Sequence, residues 1–491
     1  MDIPAVEQEV EEILHDYQVP GAAIAVVKND ALLFAMGCGL RSIDEAHPVD
    51  IHTCFGIASI SKSFTTMALG MLVDEGLLSW SDPVTKFLPD FQMQSAYVTR
   101  EVTVRDLLIH RSGLPEVAGG TLWYGSRLSR KQVIAGMRHL RPASSFRSQY
   151  AYQNITYLAA GQIIPAVCGR SWDDFIQERI FAPLGMNSSN TSIHAYGGND
   201  NIAQPHVEIE GRWTRVPLRD YDNVGPAASI NTTAVDLAAY TRLLLNGGRF
   251  KDQQLYSSQI AADLWTPHSL IPIEARSPAS LKYFLPRFHN TYALGWVIQD
   301  VPERAQIKVS HSGGIDGLRS LLTLIPGENL GIIALANNES PAPLFLTQRL
   351  LDRYWNVSNG DWYREALQKY IHLREQQVES AQSQPVPGTS PSLSIANYAG
   401  TFTSTLIGEI EITTSNGQLT LQFPHSPSLQ AKLSHWHYDT FRLTWVDPVV
   451  PDGFVTFVLN AAGQIEEIRL NQPNLLDVDF SEIHPIIKNI T

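Results

Sequence analysis

The sequence predicts an α/β (α+β) fold: an antiparallel sheet flanked by helices, carrying an inserted all-helical subdomain and followed by a small C-terminal antiparallel β-barrel. Three observations predict it. Strand patterns stand at both ends of a long segment whose middle is helical. A stretch rich in Ser, Gln, Pro and Gly runs from Glu379 to Ser392. Short alternating segments separated by turn residues follow from Tyr398.

The first elements of the chain supply part of the predicted sheet and one long helix. Apolar residues at helical spacing predict a helix over residues 6–17, and the runs 22–27 and 31–37 predict a β-hairpin. Residues 59–76 repeat apolar side chains with a helical period and end at a glycine, which predicts a largely buried helix.

The rest of the sheet comes from much later in the chain. Helical patterns dominate residues 104–245, and strand patterns then return. The late strands are predicted over residues 292–298, 307–310, 318–325 and 330–337, with a helix over 343–355. A sheet built from both ends of this segment leaves the helical middle as an inserted subdomain.

The length of the chain sets the expected number of domains. At roughly 100–200 residues per domain, a chain of 491 residues holds two or three of them. We predict a first domain over residues 1–375, a linker over residues 376–392 and the barrel domain over residues 393–491.

The composition excludes several classes of partner. Lysine and arginine number 36 against 49 acidic residues, and the formal charge of −13 leaves no surplus for nucleic-acid phosphates. No apolar run approaches the ~20 residues that cross a bilayer, so no membrane span is predicted. The first residues lack the pattern of a signal peptide, so a soluble cytoplasmic protein is expected, although a trimmed signal would leave the same sequence.

The cysteines and histidines do not form a metal-binding pattern. Cys38, Cys54 and Cys168 lie in unrelated contexts, and free cysteines are usually small buried residues. His435 and His437 would share one face of a strand, but no third ligand lies near them in the sequence. We therefore expect no metal and no organic cofactor.

The segment Ser59-Ile60-Ser61-Lys62 carries the first chemical signal, because a spacing of three places the Ser59 and Lys62 side chains on one helix face. A serine hydroxyl is a weak nucleophile until a base removes its proton. A lysine is such a base only where burial or nearby positive charge lowers its pKa. The alternative is a serine that caps the helix beside a lysine exposed to solvent.

Two further segments are candidates for the same site. Tyr152 and Asn154 precede an apolar helix, and the alternative for Tyr152 is a tyrosine packed at a subdomain boundary. The segment His311-Ser312-Gly313-Gly314 joins two strand patterns, and its alternative is a glycine-rich hairpin turn.

Together and in this order, the three segments resemble the serine β-lactamase and penicillin-binding-protein superfamily, most closely its class C-like branch of stand-alone serine peptidases and esterases. The resemblance covers roughly residues 5–355, with supporting stretches at 103–115, 183–186 and 292–296. The segment that begins at Tyr398 is more weakly similar to the lipocalin-like domain of some D-amino-acid-specific peptidases of this branch.

The resemblance implies a role for each matching residue. Ser59 is acylated, Lys62 activates it and Tyr152 shares the proton transfers, with the choice of general base left open between the last two. Asn154 holds either the substrate amide or Lys62. The backbone N–H groups of Ser59 and Gly314 form the oxyanion hole.

The third segment departs from the usual Lys-Thr-Gly of the family, because His311-Ser312-Gly313 stands in its place. The peptidase and esterase branch also uses this variant. A lysine there supplies fixed charge for a substrate carboxylate, whereas a histidine titrates near neutrality and acts as a donor or proton relay. We therefore expect poor penicillin hydrolysis, with Ser312 and Gly313 contacting the substrate.

The sequence thus predicts a serine hydrolase that cleaves small peptides, amides or esters through a Ser59 acyl-enzyme. A D-residue-specific aminopeptidase or a carboxypeptidase is the main expectation. An esterase or acyltransferase, and a catalytically silent ligand-binding protein, remain alternatives.

Two features have more than one possible role. Trp123 and Tyr124 either cover the site or pack in the protein core. The barrel narrows the mouth of the site, binds a ligand or builds a homo-oligomer.

Overall fold

The computed structural model of the chain describes residues 3–272, 289–357, 362–380 and 384–489. The strands that precede the C-terminal barrel are β1 (Gly21–Lys28), β2 (Ala31–Gly39), β3 (Phe55–Gly56), β4 (His206–Ile209), β5 (Arg212–Arg215), β6 (Asn231–Thr232), β7 (Arg249–Phe250), β8 (Gln253–Gln254), β9 (Ser269–Leu270), β10 (Asn290–Tyr292), β11 (Val297–Val301), β12 (Gln306–Ile315), β13 (Leu318–Ile325) and β14 (Leu330–Ala336).

The helices alternate with these strands and dominate the middle of the chain. They are α1 (Ile3–Asp16), α2 (Ser61–Asp74), α3 (Ala96–Glu101), α4 (Val104–Leu108), α5 (Gly120–Trp123), α6 (Arg130–Gly136), α7 (Ile155–Cys168), α8 (Trp172–Ile176), α9 (Ala182–Leu184), α10 (Gly225–Ala228), α11 (Ala234–Leu245), α12 (Ser258–Leu264), α13 (Ala342–Tyr354) and α14 (Trp362–Ser380).

The main sheet has eight strands in the order β2-β1-β14-β13-β12-β11-β10-β9, and its neighbouring strands pair antiparallel. The β1 strand pairs with β14 in a register that places Ala22 opposite Ala336. Two strands from the start of the chain therefore join six from much later, as the sequence predicts. The helical middle of the chain lies between them as an inserted subdomain.

Both faces of the sheet are covered at β1 and β14, which explains why these two strands are almost entirely apolar. Ile24 on one face of β1 packs in a core cluster with α1 and α13, through residues such as Val10 and Phe345. Ala23 on the opposite face belongs to the larger cluster that includes α2. Alternation along one strand thus divides its side chains between two cores.

The C-terminal strands close into an eight-stranded antiparallel barrel, which confirms the predicted fold class. They are β15 (Gly400–Ser404), β16 (Gly408–Ser415), β17 (Gln418–Phe423), β18 (Ser426–His437), β19 (Thr440–Trp445), β20 (Gly453–Leu459), β21 (Ile465–Asn471) and β22 (Ile486–Lys488). The first strand pairs with both β16 and β22, so the barrel has no open edge.

Aromatic side chains fill the interior of the barrel. Phe402, Phe441 and Tyr398 surround Phe457 edge to face, with ring centroids 4.8–6.3 Å apart. All four are buried. A small barrel filled in this way is a packed core, and these rings occupy the space that a ligand would need.

Two segments differ from the sequence-based expectation. The α2 helix begins at Ser61, and Ser59 lies in the preceding 3₁₀ turn Ala58–Ile60. The α14 helix was not predicted, and it continues into the first residues of the predicted linker. Within the described parts of the chain, no helix has both the length and the apolar character that crossing a membrane requires.

Candidate active site

Ser59 lies at the base of a cleft, on the 3₁₀ turn that leads into α2. The residue before it, Ala58, is buried and has φ +48°, a backbone conformation that non-glycine residues seldom adopt outside constrained sites. The N-cap of α2 is Ile60, with no side-chain cap bond. Ser59 therefore does not cap this helix, which contradicts the alternative that the sequence left open.

Lys62 has no solvent exposure, which contradicts the other half of that alternative. Its Nζ atom lies 3.0 Å from Ser59 Oγ, 2.5 Å from Asn154 Oδ1 and 3.1 Å from the Ala227 carbonyl oxygen. The amide and carbonyl oxygens can only accept hydrogen bonds, whereas a hydroxyl can also donate. A neutral amine would therefore donate to Asn154 and Ala227 and turn its lone pair toward the Ser59 hydroxyl.

The surroundings of Lys62 favour this neutral form. Burial lowers the pKa of Lys62 from 10.5 to about 7, and Asp477 opposes that change. The rings of Tyr152 and Tyr157, 4.7 and 5.5 Å from Nζ, also oppose the effect of burial, because aromatic faces attract the ammonium form. Near neutral pH the amine thus exists in both protonation states beside the hydroxyl.

Tyr152 lines the cleft close to Ser59 and Lys62. Burial raises the pKa of Tyr152 well above its ordinary value, Asp477 adds to that rise, and an interaction with the Ser59 hydroxyl opposes it. Its phenol therefore keeps its proton at neutral pH. The Tyr152 carbonyl accepts a 2.7 Å hydrogen bond from the Val117 N–H, which fixes the segment between the cleft wall and α7.

His311 lies in β12 and faces the same cleft, but it does not titrate near neutrality as the sequence suggested. Burial lowers its pKa to about 3, and the neighbouring charge of Lys62 acts in the same direction. Its Nδ1 lies 2.6 Å from the Ser312 carbonyl oxygen, so this nitrogen carries the proton. Its Nε2 then accepts from the Tyr292 hydroxyl at 2.9 Å. Both nitrogens are occupied within the protein.

The residues after His311 bring the sheet edge against the Ser59 turn. A side-chain carbon at Gly313 would lie 2.1 Å from the Ile57 carbonyl oxygen, so only glycine fits there. Gly314 and the exposed Ser312 line the cleft, and neither forms the tip of a hairpin, because both pair with β13. The glycine-rich turn considered from sequence is thus a strand.

The barrel contributes directly to the cleft, which is one of the three roles considered from sequence, but through residues that the sequence did not single out. The loop between β21 and β22 brings Leu476 and Asp477 into its lining. Burial raises the pKa of Asp477, whereas Lys62, Asn154 and Arg319 hold it down. No local pattern marks Asp477, and only the docking of the barrel on the first domain places it beside the lysine.

A hydrogen-bonded carboxylate and an ion-pair network hold the barrel against the cleft wall. The Glu482 carboxylate accepts hydrogen bonds from Gly119 N at 2.7 Å, Thr121 N at 2.9 Å and Thr121 Oγ1 at 2.5 Å. Arg219 pairs with Asp447 of the barrel at 2.6 Å and with Asp316 next to β12. Both contacts join the barrel to segments beside the candidate catalytic residues.

The cleft has a volume of about 570 Å³. Six of the eight predicted site residues line it, and the other two, Lys62 and Asn154, are buried behind it. The six are Ser59, Tyr152, His311, Ser312, Gly313 and Gly314. Trp123 and Tyr124 are buried and do not line the cleft, so of the two readings of these aromatics the structure shows packing.

The possible metal ligands that the described residues bring together lie outside this cleft. Where the chain is described, one group of three possible ligands comes together, His194, Asp220 and Asp222, and none of them lines the cleft. Cys38, Cys54 and Cys168 are all free, and Cys54 is buried.

Comparison with known proteins identifies relatives of both domains. Residues 6–354 match the family model described as Beta-lactamase, and residues 384–484 match a domain of unknown function, DUF3471. The unguisins hydrolase ungD of Aspergillus violaceofuscus is 27% identical, covering 83% of this chain and 76% of the relative. Penicillin-binding protein 4* of Bacillus subtilis is 26% identical over 66% of this chain and 69% of the relative.

Solved structures show the same fold. The octameric penicillin-binding protein homologue from Pyrococcus abyssi aligns with a TM-score of 0.63 and 21% identity, covering 99% of this chain and 100% of that one. A class C β-lactamase from Rhodobacter sphaeroides aligns with a TM-score of 0.56 and 21% identity, covering 71% of this chain and 99% of that one. The first of these extends over the barrel as well as the first domain.

Proposed function

The chain belongs to the β-lactamase family of serine hydrolases, and from that premise we propose that it is a serine aminopeptidase that removes the first residue of small peptides. Ser59 is the nucleophile and Lys62 its general base. The observation that carries the choice of an aminopeptidase is the Asp477 carboxyl group in the cleft, beside Asn154 and Lys62.

Acylation follows from the contacts of the two central residues. The Ser59 oxygen attacks the carbonyl carbon of the first residue, while its proton passes to the neutral Lys62 amine 3.0 Å away. The backbone N–H groups of Ser59 and Gly314 stabilise the oxyanion. The amide C–N bond then breaks, and the proton travels from Lys62 through the Tyr152 hydroxyl to the leaving amine.

Deacylation uses the same groups in reverse. Water attacks the ester carbonyl of the acyl-enzyme, Lys62 accepts the proton of that water, and the proton returns to Ser59 as the product acid leaves. His311 holds Tyr292 and the Ser312 carbonyl in place from a neutral ring, and takes no proton in these steps.

Two charges separate an aminopeptidase from a carboxypeptidase. The first residue of a peptide carries an ammonium group, and Asp477 offers a carboxylate in the cleft lining, within reach of Asn154. A carboxypeptidase needs a cation for the terminal carboxylate. His311 is neutral, and the Arg319 guanidinium donates to the Ile315 and Leu318 carbonyls and pairs with Glu339. Lys308 also lines the cleft, where burial lowers its pKa to about 8 and Asp300 opposes that change.

The test is a comparison of substrates that differ only at the amino group. We would measure kcat/KM for the D- and L-alanine p-nitroanilides with a free amine and with an acetylated amine, using Ser59→Ala as the inactive control. The expected result is a preference for the free amine of about 100-fold or more, in line with a desolvated charged hydrogen bond. Equal cleavage of the acetylated compounds would reject the aminopeptidase assignment. The two enantiomers report stereochemical preference in the same series.

The predicted homo-oligomer is retained as part of this proposal. The edge strand β2 exposes Leu32 and Leu33, with 39% and 48% of their surface accessible, and exposed apolar edges favour association. Size exclusion with light scattering distinguishes a monomer from an oligomer of this chain.

A further inference from the structure

Lys62 and Asp477 act on each other through the residue between them. The Asn154 side chain accepts a 2.5 Å hydrogen bond from Lys62 Nζ and also interacts with the Asp477 carboxyl group. Asp477 raises the pKa of Lys62, and Lys62 lowers the pKa of Asp477. Each charge stabilises the other, so the pair retains a proton that burial alone would remove from the lysine.

This retained proton opposes catalysis, because a lysine that already carries it cannot accept the Ser59 proton. The free enzyme therefore contains its own restraint on the base. The same carboxyl group that restrains Lys62 is the group that the proposed substrate would contact.

We propose that the ammonium group of the substrate switches the base on: by docking on Asp477 it drives off the proton that Asp477 helps Lys62 to retain and leaves a neutral amine facing Ser59. This inference rests on the proposed function, in which the substrate carries that ammonium group. The step balances, since enzyme with one proton plus cationic substrate gives the complex plus one proton released to solvent.

The sign of the effect follows from Coulomb's law. A carboxylate near an amine favours the ammonium form, and a second cation near that amine disfavours it. Docking adds one positive charge beside Asp477. This charge offsets the negative charge of the carboxylate, so Asp477 no longer stabilises the ammonium form of Lys62. By linkage, the cationic substrate also binds more tightly when the pair has lost its proton.

The other ionisable groups around the pair do not replace the substrate in this role. Around Lys62 stand Tyr152, Tyr157 and His311, the first two held protonated and the third held neutral by burial. Around Asp477 stand Arg319, Asp316 and Tyr221.

The two charged groups near Asp477 have partners of their own. Arg319 pairs with Glu339 at 3.3 Å, and Asp316 pairs with Arg219. Tyr221 keeps its proton, because burial raises its pKa. Among the described residues that act on Asp477, Lys62 is thus the cation that stabilises its carboxylate without an ion pair to another carboxylate. A substrate ammonium group can take over this stabilisation.

The test separates the ammonium group from the reacting group. A neutral fluorophosphonate labels Ser59 without occupying Asp477, so the pH midpoint of its labelling rate reports the Lys62–Asp477 pair. We would measure that midpoint alone, with saturating n-propylammonium and with 1-propanol as the uncharged control. Saturation is established by competition with the free-amine anilide.

The expected result is a midpoint lowered by about one pH unit with n-propylammonium, which corresponds to about fivefold faster labelling one unit below the original midpoint. 1-Propanol leaves the midpoint unchanged. A midpoint that stays in place under saturating n-propylammonium would overturn the proposal.

Two variants test whether Asp477 is the residue that responds to n-propylammonium. Asp477→Asn should lower the midpoint without any ligand and remove its response to n-propylammonium. Asp479→Asn is the matched control, since Asp479 belongs to the same loop, accepts a hydrogen bond from Ser481 N and does not line the cleft. It should behave as the wild type does, and an identical response in both variants would contradict the role of Asp477.

A measurement on the wild type keeps the proposal testable if Asp477→Asn does not fold. For free-amine anilides, the acid limb of kcat should lie below the acid limb of kcat/KM, because the two report the complex and the free enzyme. Coincident limbs would contradict the switch. If acetylated substrates are cleaved equally well, the aminopeptidase proposal fails instead, whatever the midpoints show.

Discussion

The Lys62 amine lies 3.0 Å from the Ser59 hydroxyl and is closed off from solvent, although the two residues belong to different helical elements. The 3₁₀ turn sets this distance, because it projects Ser59 toward the cleft while the first turn of α2 directs Lys62 into the protein. Asn154 and the Ala227 carbonyl accept hydrogen bonds from the Lys62 amine, so the lone pair of a neutral Lys62 faces the Ser59 hydroxyl. The following expectations depend on this arrangement.

Replacing the proposed base should abolish acylation without removing the nucleophile. We expect Lys62→Met to lower kcat/KM by about 10³-fold or more. Loss of a general base typically costs about 10²- to 10⁴-fold. Lys62→Arg should be as inactive, because a guanidinium does not deprotonate in proteins. Steady-state rates on a p-nitrophenyl ester measure both variants. Retention of activity by the arginine variant would show that a fixed positive charge suffices, contrary to the proposed mechanism.

The pH dependence of kcat/KM should show one acid limb near pH 7. Activity requires the neutral lysine, so it should fall about tenfold per pH unit below the Lys62 pKa of about 7. His311 should add no limb near neutrality, because its pKa lies at about 3. A rate profile from pH 5 to 9 on the wild type and on His311→Gln tests this. An acid limb that disappears only in His311→Gln would assign the titration to the histidine.

Tyr152→Phe should slow amide cleavage more than ester cleavage. The phenol is proposed to deliver a proton to the leaving amine, and a p-nitrophenolate leaves without one. We expect kcat to fall about 10²-fold on the anilide and markedly less on the p-nitrophenyl ester. Tyr150→Phe is the matched control, since Tyr150 also lines the cleft. Equal losses on amide and ester would remove the proton-delivery role.

Part of this site could be predicted from sequence, and part could not. The Ser59–Lys62 contact is set by a spacing of three, which local geometry converts into proximity. The roles of Tyr152 and Asn154 are predicted from the family resemblance, because no local sequence pattern places them near Ser59. Asp477 was missed, since its position depends on how the whole barrel docks.

Burial explains the remaining differences between the prediction and the structure. The sequence suggested a titrating His311, but desolvation and a nearby lysine are tertiary effects that no residue pattern reports. The α14 helix was missed because its buried face is narrow, comprising chiefly Tyr363 and Ala366, within a mostly polar segment. The small antiparallel barrel could be predicted, although not its number of strands, because strand alternation and turn residues are local signals.

The contact between Glu482 and α5 should stabilise both the barrel docking and the cleft wall. Glu482 Oε2 accepts from Gly119 N and Oε1 accepts from Thr121 N, and in Glu482→Gln an amide N–H₂ replaces one of these two acceptors. The loss should lower the free energy of unfolding by about 1–3 kcal/mol, the usual cost of an unsatisfied buried group. Thermal denaturation measures the change, with the exposed Glu466→Gln as the control. Equal melting temperatures for the two variants would contradict a stabilising clamp.

The most direct test of the account is to identify the residue that becomes acylated during turnover. Wild-type protein is quenched with acid while it hydrolyses a free-amine alanine ester, and the intact mass and the modified peptide are then determined. The account predicts a single alanyl adduct on Ser59, absent from Ser59→Ala and strongly reduced in Lys62→Met. An adduct on another residue, or turnover by Ser59→Ala at the wild-type rate, would contradict it.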